Sequence, residues 1–183
     1  MRRLCLSFAL LLSLNHTLAA TVILPAEFRE IVSGSQIIVH GRVVDVRSEW
    51  VDGRSRIESF VTIEAAAYYR GAPAPTITFR TPGGQVGRYK SVTVGAPEFR
   101  IGDEAVLFLK SQGAVPQIFG VNQGLFRVRV DQRTGRRLVI RQTLMARGGA
   151  AERVARGDRE RRPLTLDAFG AQVRAVMQQG GAQ

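Results

Sequence analysis

The stretch 36-QIIVHGRVVDVRSEW-50 decides how this chain folds. Ile37, Ile38, Val39, Val43, Val44, Val46 and Trp50 crowd it with β-branched and aromatic side chains, the signature of a strand. Gly41 interrupts the run, and a glycine inside a strand commonly marks a bulge or a sharp bend. A long, bent first strand is therefore expected. Immediately after it, 52-DGRS-55 reads as a turn, and residues 57–67 (IESFVTIEAAA) alternate well enough to return as the second strand of a hairpin.

Working outward, residues 25–32 (PAEFREIV) place Phe28, Ile31 and Val32 on one helical face, with Pro25 at a suitable first position and Gly34 just past the end. Downstream, 70-RGAPAP-75 breaks the chain and 76-TITFRT-81 is a third strand by its β-branched content. A glycine loop, 81-TPGGQVGRY-89, follows, and Val92 and Val94 suggest a short strand beyond it. A turn at residues 101–104 leads into 105–109 (AVLFL), a continuous apolar strand expected to be buried. Residues 117–121, 125–130 and 137–141 complete the set, the last two joined through 131-DQRTGRR-137 with Gly135 in the left-handed position. Seven or eight short strands at this spacing predict a mainly β fold, a small antiparallel barrel or sandwich. Residues 147–163 hold six arginines and little large apolar surface, which describes a solvated linker or weak helix. Thr165 then caps a helix whose Leu166, Phe169, Val173 and Val176 form one stripe. That stripe docks either on the chain's own barrel or in a partner's groove.

The first residues carry a different message. Arg2 and Arg3, an apolar run over 4–14 and small residues at Ala19 and Ala20 make a secretory signal peptide, cleaved after Ala19 or Ala20. A periplasmic or secreted protein is expected, and nothing downstream reaches the ~20 apolar residues of a membrane helix. The one cysteine, Cys5, lies in the segment to be removed, so neither disulfides nor thiolate chemistry remain. The expected organisation is signal peptide 1–20, barrel 21–143, basic linker 144–163, amphipathic helix 164–178 and tail 179–183. Losing Arg2 and Arg3 lowers the formal charge from +11 to +9. All but two of the 26 basic residues are arginines, a bias that a GC-rich genome produces by itself. The field it creates still concentrates polyanions: an envelope glycan, lipopolysaccharide or, less readily, nucleic acid.

Catalytic chemistry is poorly supplied. His40 is the only histidine of the mature chain, whereas a triad needs a histidine beside a nucleophile and an orienting acid, and zinc generally needs several converging ligands. His40 reads as a strand residue with a satisfied hydrogen bond. Three carboxylate pairs, Asp103 with Glu104, Glu49 with Asp52, and Glu27 with Glu30, are candidates for acid–base work, yet turn hydrogen bonding explains Asp103 and a helix N-terminus explains Glu27 and Glu30. The glycine loop matches neither nucleotide-binding spacing. Thr81-Pro82-Gly83-Gly84 suits a type II turn, with Gly83 accepting a positive φ. If the loop binds anything, Arg88, Tyr89 and Lys90 make the contacts. No metal or cofactor is called for.

In order, the pieces IIVHGRVVDVRSEW, Arg70-Gly71, 82-PGGQVG-87, GAPEF..GDEAVLFL and 120-GVNQGLFRV-128 resemble a group of uncharacterised secreted bacterial proteins with an OB-fold-like barrel, akin to the netrin-like module of tissue inhibitors of metalloproteases. The likeness spans residues 24–141. It implies an OB-like barrel and a binding role. The inhibitors chelate the protease zinc through an N-terminal cysteine; after cleavage at Ala20 this chain would start Thr21-Val22-Ile23, so that mechanism does not carry over. The reading that emerges is a non-catalytic binding module for a protein or anionic partner, with Trp50, Arg80, Arg88, Tyr89, Lys90 and Gln123 as candidate contacts. Its alternatives are a modulator of a secreted protease and a carboxylate-based hydrolase, for which two carboxyl groups would stand ~5–9 Å apart in a cleft.

Overall fold

The computed structural model describes residues 26–141 and 163–180. The expected signal peptide, nearly all of the basic linker and the last three residues of the tail lie outside them. Among the described residues no helix is long and apolar enough to cross a membrane.

The chain is mainly β, as expected, and its centre is a closed OB-like barrel of five strands. Strands β1 (Ile37–Val51), β2 (Arg56–Arg70) and β3 (Thr76–Pro82) form an antiparallel meander. A small hairpin, β4 (Gly84–Val86) and β5 (Tyr89–Ser91), then leaves the barrel. The ring closes through β6 (Glu104–Lys110) and β7 (Gln117–Ile118): β7 lies parallel to β3 and antiparallel to β6, and β6 pairs with the first half of β1. From the far edge of β6, strands β8 (Leu125–Val130), β9 (Arg137–Arg141) and β10 (Leu164–Thr165) extend as a wing. Helices α1 (Phe28–Ser33) and α2 (Leu166–Gly180) complete the fold.

β1 can serve both β2 and β6 because it bends. Its register with β2 slips three times, once between His40 and Gly41. A Cβ at Gly41 would collide with the backbone carbonyl of Glu64, so the strands approach there as only glycine allows. Beyond Val43 the β1–β2 ribbon outruns β6 and overhangs the barrel mouth.

The continuous apolar run of β6 has a direct cause. Ala105, Leu107 and Leu109 point into the barrel with Val39, Val43, Val61, Ile63 and Phe79. Val106 and Phe108 point outward into a second core with Ile31, Val32, Ile38 and Phe126. A strand buried on both faces has no solvent side for polar residues to occupy. The second core is where the helices dock: Phe169 and Val173 of α2 are buried in it, and the rings of Phe28, Phe108, Phe126 and Phe169 meet at centroid distances of 5.0–6.2 Å. The stripe on α2 is thus covered by its own chain. Thr165 Oγ1 accepts from Ala168 N at 3.3 Å, the expected cap.

Several boundaries differ from expectation. α1 begins at Phe28, with Glu30 reaching back to accept from Glu27 N at 2.9 Å, while Pro25, the expected first position, lies outside the described residues. β2 runs three residues further, since Arg70 pairs with Ile38 of β1. β7 ends at Ile118 because Gly120 and Val121 both take positive φ, 57° and 67°, in a turn. Residues 92–94 are no strand: Val92 and Val94 lie in an exposed loop, and the local pairing is made instead inside the glycine stretch as β4–β5.

Candidate functional site

The overhanging end of the β1–β2 ribbon is covered by the β4–β5 hairpin. Pro82 ends β3, and Gly83, at φ 91°, links it to β4 while its N–H donates to Ile57 O and its carbonyl accepts from Ser59 Oγ. Ser59 and Ser48 hydroxyls are 3.0 Å apart across the ribbon. Gly84 passes directly over this pair, where any Cβ would strike both hydroxyls. Gly83 takes the expected positive φ, but the chain passes from β3 into β4 without the expected type II turn and turns instead at Gly87 and Arg88; the second glycine has a reason of its own, since it lets the hairpin lie flat on the ribbon.

Trp50 then meets Tyr89 edge-to-face, with ring centroids 5.6 Å apart. Arg88 lies over the Tyr89 ring at 5.2 Å and donates to its hydroxyl at 3.1 Å. Lys90 sits opposite Gln85 in the hairpin, exposed. Four of the six candidate contacts are therefore gathered in one place, Arg88, Tyr89 and Lys90 on the hairpin and Trp50 on the β1 strand beneath it. Beyond it Val92 and Val94 are 73% and 77% exposed, more open than Tyr89.

Beneath the hairpin lies a cleft of about 250 Å³ at the barrel mouth. Val46, Val61 and Phe99 supply apolar walls; Thr81, Lys90 and Glu98 contribute polar groups. Thr81 is 4% exposed and its hydroxyl has no hydrogen-bond partner among the described residues.

The other two candidates lie apart from the hairpin. Arg80 belongs to the outer face of the barrel, in a row of register partners running Arg47, Phe60, Arg80, Gln117 across four strands. Its guanidinium pairs with Glu58 at 3.1 Å, and Arg47 covers the Phe60 ring at 5.6 Å. Gln123 is buried in the turn after β7, where its side-chain oxygen accepts from Ala26 N.

His40 has the hydrogen bond expected of it, Nε2 to Glu104 Oε1 at 2.8 Å. Arg42 and Arg137 approach the same carboxylate at 3.5 and 3.4 Å. Asp103 pairs with Arg127 at 2.8 Å and accepts from Arg100 N at 3.0 Å, closing its turn. Glu49 pairs with Arg47, and Asp52 with Arg56. Each acid of these three candidate pairs is engaged by a cation, a ring nitrogen or the backbone, Glu27 and Glu30 through the capping box they share.

The role of Thr81, Glu98 and Phe99 was not legible in the sequence. Their convergence depends on the loop 92–99 folding back over the mouth, which no local pattern encodes. Val92 and Val94 did carry a signal, but alternating valines say strand, and only their exposure says surface. No family model, curated protein or solved structure matches the chain.

Proposed function

We propose that the protein is a non-catalytic binding module of the periplasm or cell exterior that engages an anionic partner through the β4–β5 hairpin. One observation carries the reading. Arg42, Arg47, Arg56, Arg80, Arg127 and Arg137 are each ion-paired to a neighbouring carboxylate, whereas Arg88 and Lys90 have no carboxylate partner among the described residues and, unlike Arg54, Arg100, Arg129, Arg133 and Arg136, which share that lack, flank the exposed ring of Tyr89. Cations already neutralised by a neighbour contribute little to an outside partner; free ones beside an exposed aromatic ring contribute charge, stacking and hydrogen bonds together. Tyr89, Val92 and Val94 add apolar surface next to them. The exported location rests on the charged, apolar and small-residue segments of residues 1–20.

Retention on immobilised heparin tests the reading. The mature protein should elute at a salt concentration that falls clearly when Arg88 and Lys90 are both replaced by alanine, since removing each cation–anion pair flattens the salt dependence. Equal elution of the parent and the double variant would remove the hairpin as the binding surface. N-terminal sequencing of protein recovered from the periplasm or medium should begin at Ala20 or Thr21; recovery of the intact chain from the cytoplasm would count against export.

A further inference from the structure

The cleft under the hairpin has features that a polyanion does not use. Its volume, about 250 Å³, is below that of a drug-sized pocket and far too small for a polymer. Its walls are three core side chains, Val46, Val61 and Phe99, so an occupant needs an apolar part. Two charges of opposite sign, Lys90 and Glu98, line it, and neither is ion-paired among the described residues; Glu98 is tied only through its backbone carbonyl, which accepts from the Arg127 guanidinium. Thr81, nearly fully buried, also lines it and carries a hydroxyl without a partner. Burying a hydroxyl without a hydrogen bond opposes folding, and a ligand that supplies the missing acceptor relieves that cost.

We propose that this cleft binds a small zwitterion with an apolar side chain, of the chemical class of a branched or aromatic α-amino acid. The carboxylate lies toward Lys90 and accepts from Thr81 Oγ1, the ammonium lies toward Glu98, and the side chain packs against Val46, Val61 and Phe99. A simple anion leaves Glu98 facing like charge; a simple cation leaves Lys90 so. Only a molecule carrying both charges satisfies both, which is the selectivity that unpaired groups of opposite sign impose.

Calorimetric titration of the mature protein with leucine, N-acetylleucine and leucine amide tests it. Leucine should bind, and each analogue, lacking one charge, should bind at least tenfold more weakly. Thr81→Val, Lys90→Gln and Glu98→Gln should each weaken leucine about tenfold, the effect of removing one buried hydrogen bond or charge interaction. Circular dichroism and thermal melting of the same variants establish that they fold, and Arg133→Ala, in the exposed turn between β8 and β9 and outside the cleft lining, should bind leucine as the parent does. No heat with leucine, equal binding of N-acetylleucine, or full binding by Thr81→Val would each overturn the proposal. Heparin retention is independent of Thr81 and Glu98, so the two readings fail separately.

Discussion

Trp50 of β1 and Tyr89 of β5 stand edge-to-face with their ring centroids 5.6 Å apart, and this pair fastens the β4–β5 hairpin to the overhanging end of the β1–β2 ribbon. Below the rings the hairpin rests through Gly84 on the Ser48 and Ser59 hydroxyls, which offers close approach but little apolar area. The position of Arg88 and Lys90 therefore depends on the aromatic pair.

Replacing Trp50 with alanine should cost about 1–2 kcal/mol, an aromatic pair together with partial burial. The effect should be local: in hydrogen exchange, amides of residues 84–91 become less protected while those of β6 stay protected. Equal deprotection of both regions would mean that the pair supports the barrel and not the hairpin.

Thr81→Val keeps the shape of the side chain and removes a buried hydroxyl without a partner. The variant should be more stable than the parent by about 1 kcal/mol in urea denaturation. A drop in stability would show that the hydroxyl is satisfied in solution.

Helix α2 rests on the second core through Phe169 and Val173. Phe169 touches three other rings, so Phe169→Ala should destabilise the chain by about 3–5 kcal/mol in one cooperative transition shared with the barrel. If α2 melted separately and the barrel kept its midpoint, the helix would be an appendage. Gly170 belongs to the same interface: a Cβ there would come within 2.8 Å of the Tyr69 ring, so Gly170→Ala should destabilise despite alanine's higher helix propensity.

Tyr69, under that helix, has its phenol pushed above the usual value by burial, which outweighs the opposing field of Arg174. Ionisation is thus harder in the folded chain than in the unfolded one. The stabilisation is fully present below the unfolded value, 10.0, and is lost as pH rises through the higher folded value. Stability measured by urea denaturation should therefore fall above pH 10 more steeply in the parent than in Tyr69→Phe. Identical slopes would place no part of the alkaline destabilisation at Tyr69.

Sequence periodicity read the barrel well because its causes are local. The bent β1 follows from Gly41 within a β-branched run, the hairpin turn from 52-DGRS-55, and the buried β6 from five apolar residues in succession, which the structure explains by cores on both sides. It misread residues 84–94, since glycine-rich strands lack side-chain alternation and the two valines imitate it. For the site, the aromatic and cationic character of 88-RYK-90 was visible in the letters, and the structure adds Trp50 from 39 positions away.

By itself, then, the sequence determined the class of fold, the strands with strong β-branched content, the amphipathic face of α2 and the cationic rim of one loop, all consequences of near-neighbour chemistry. Tertiary structure alone decided three things: that the ring closes through the parallel β3–β7 pair, that α2 covers its own barrel, and that Thr81, Lys90, Glu98 and Phe99 line one cleft. These depend on the meeting of distant segments, where the overhang of a bent ribbon and the return of the loop over it set the geometry.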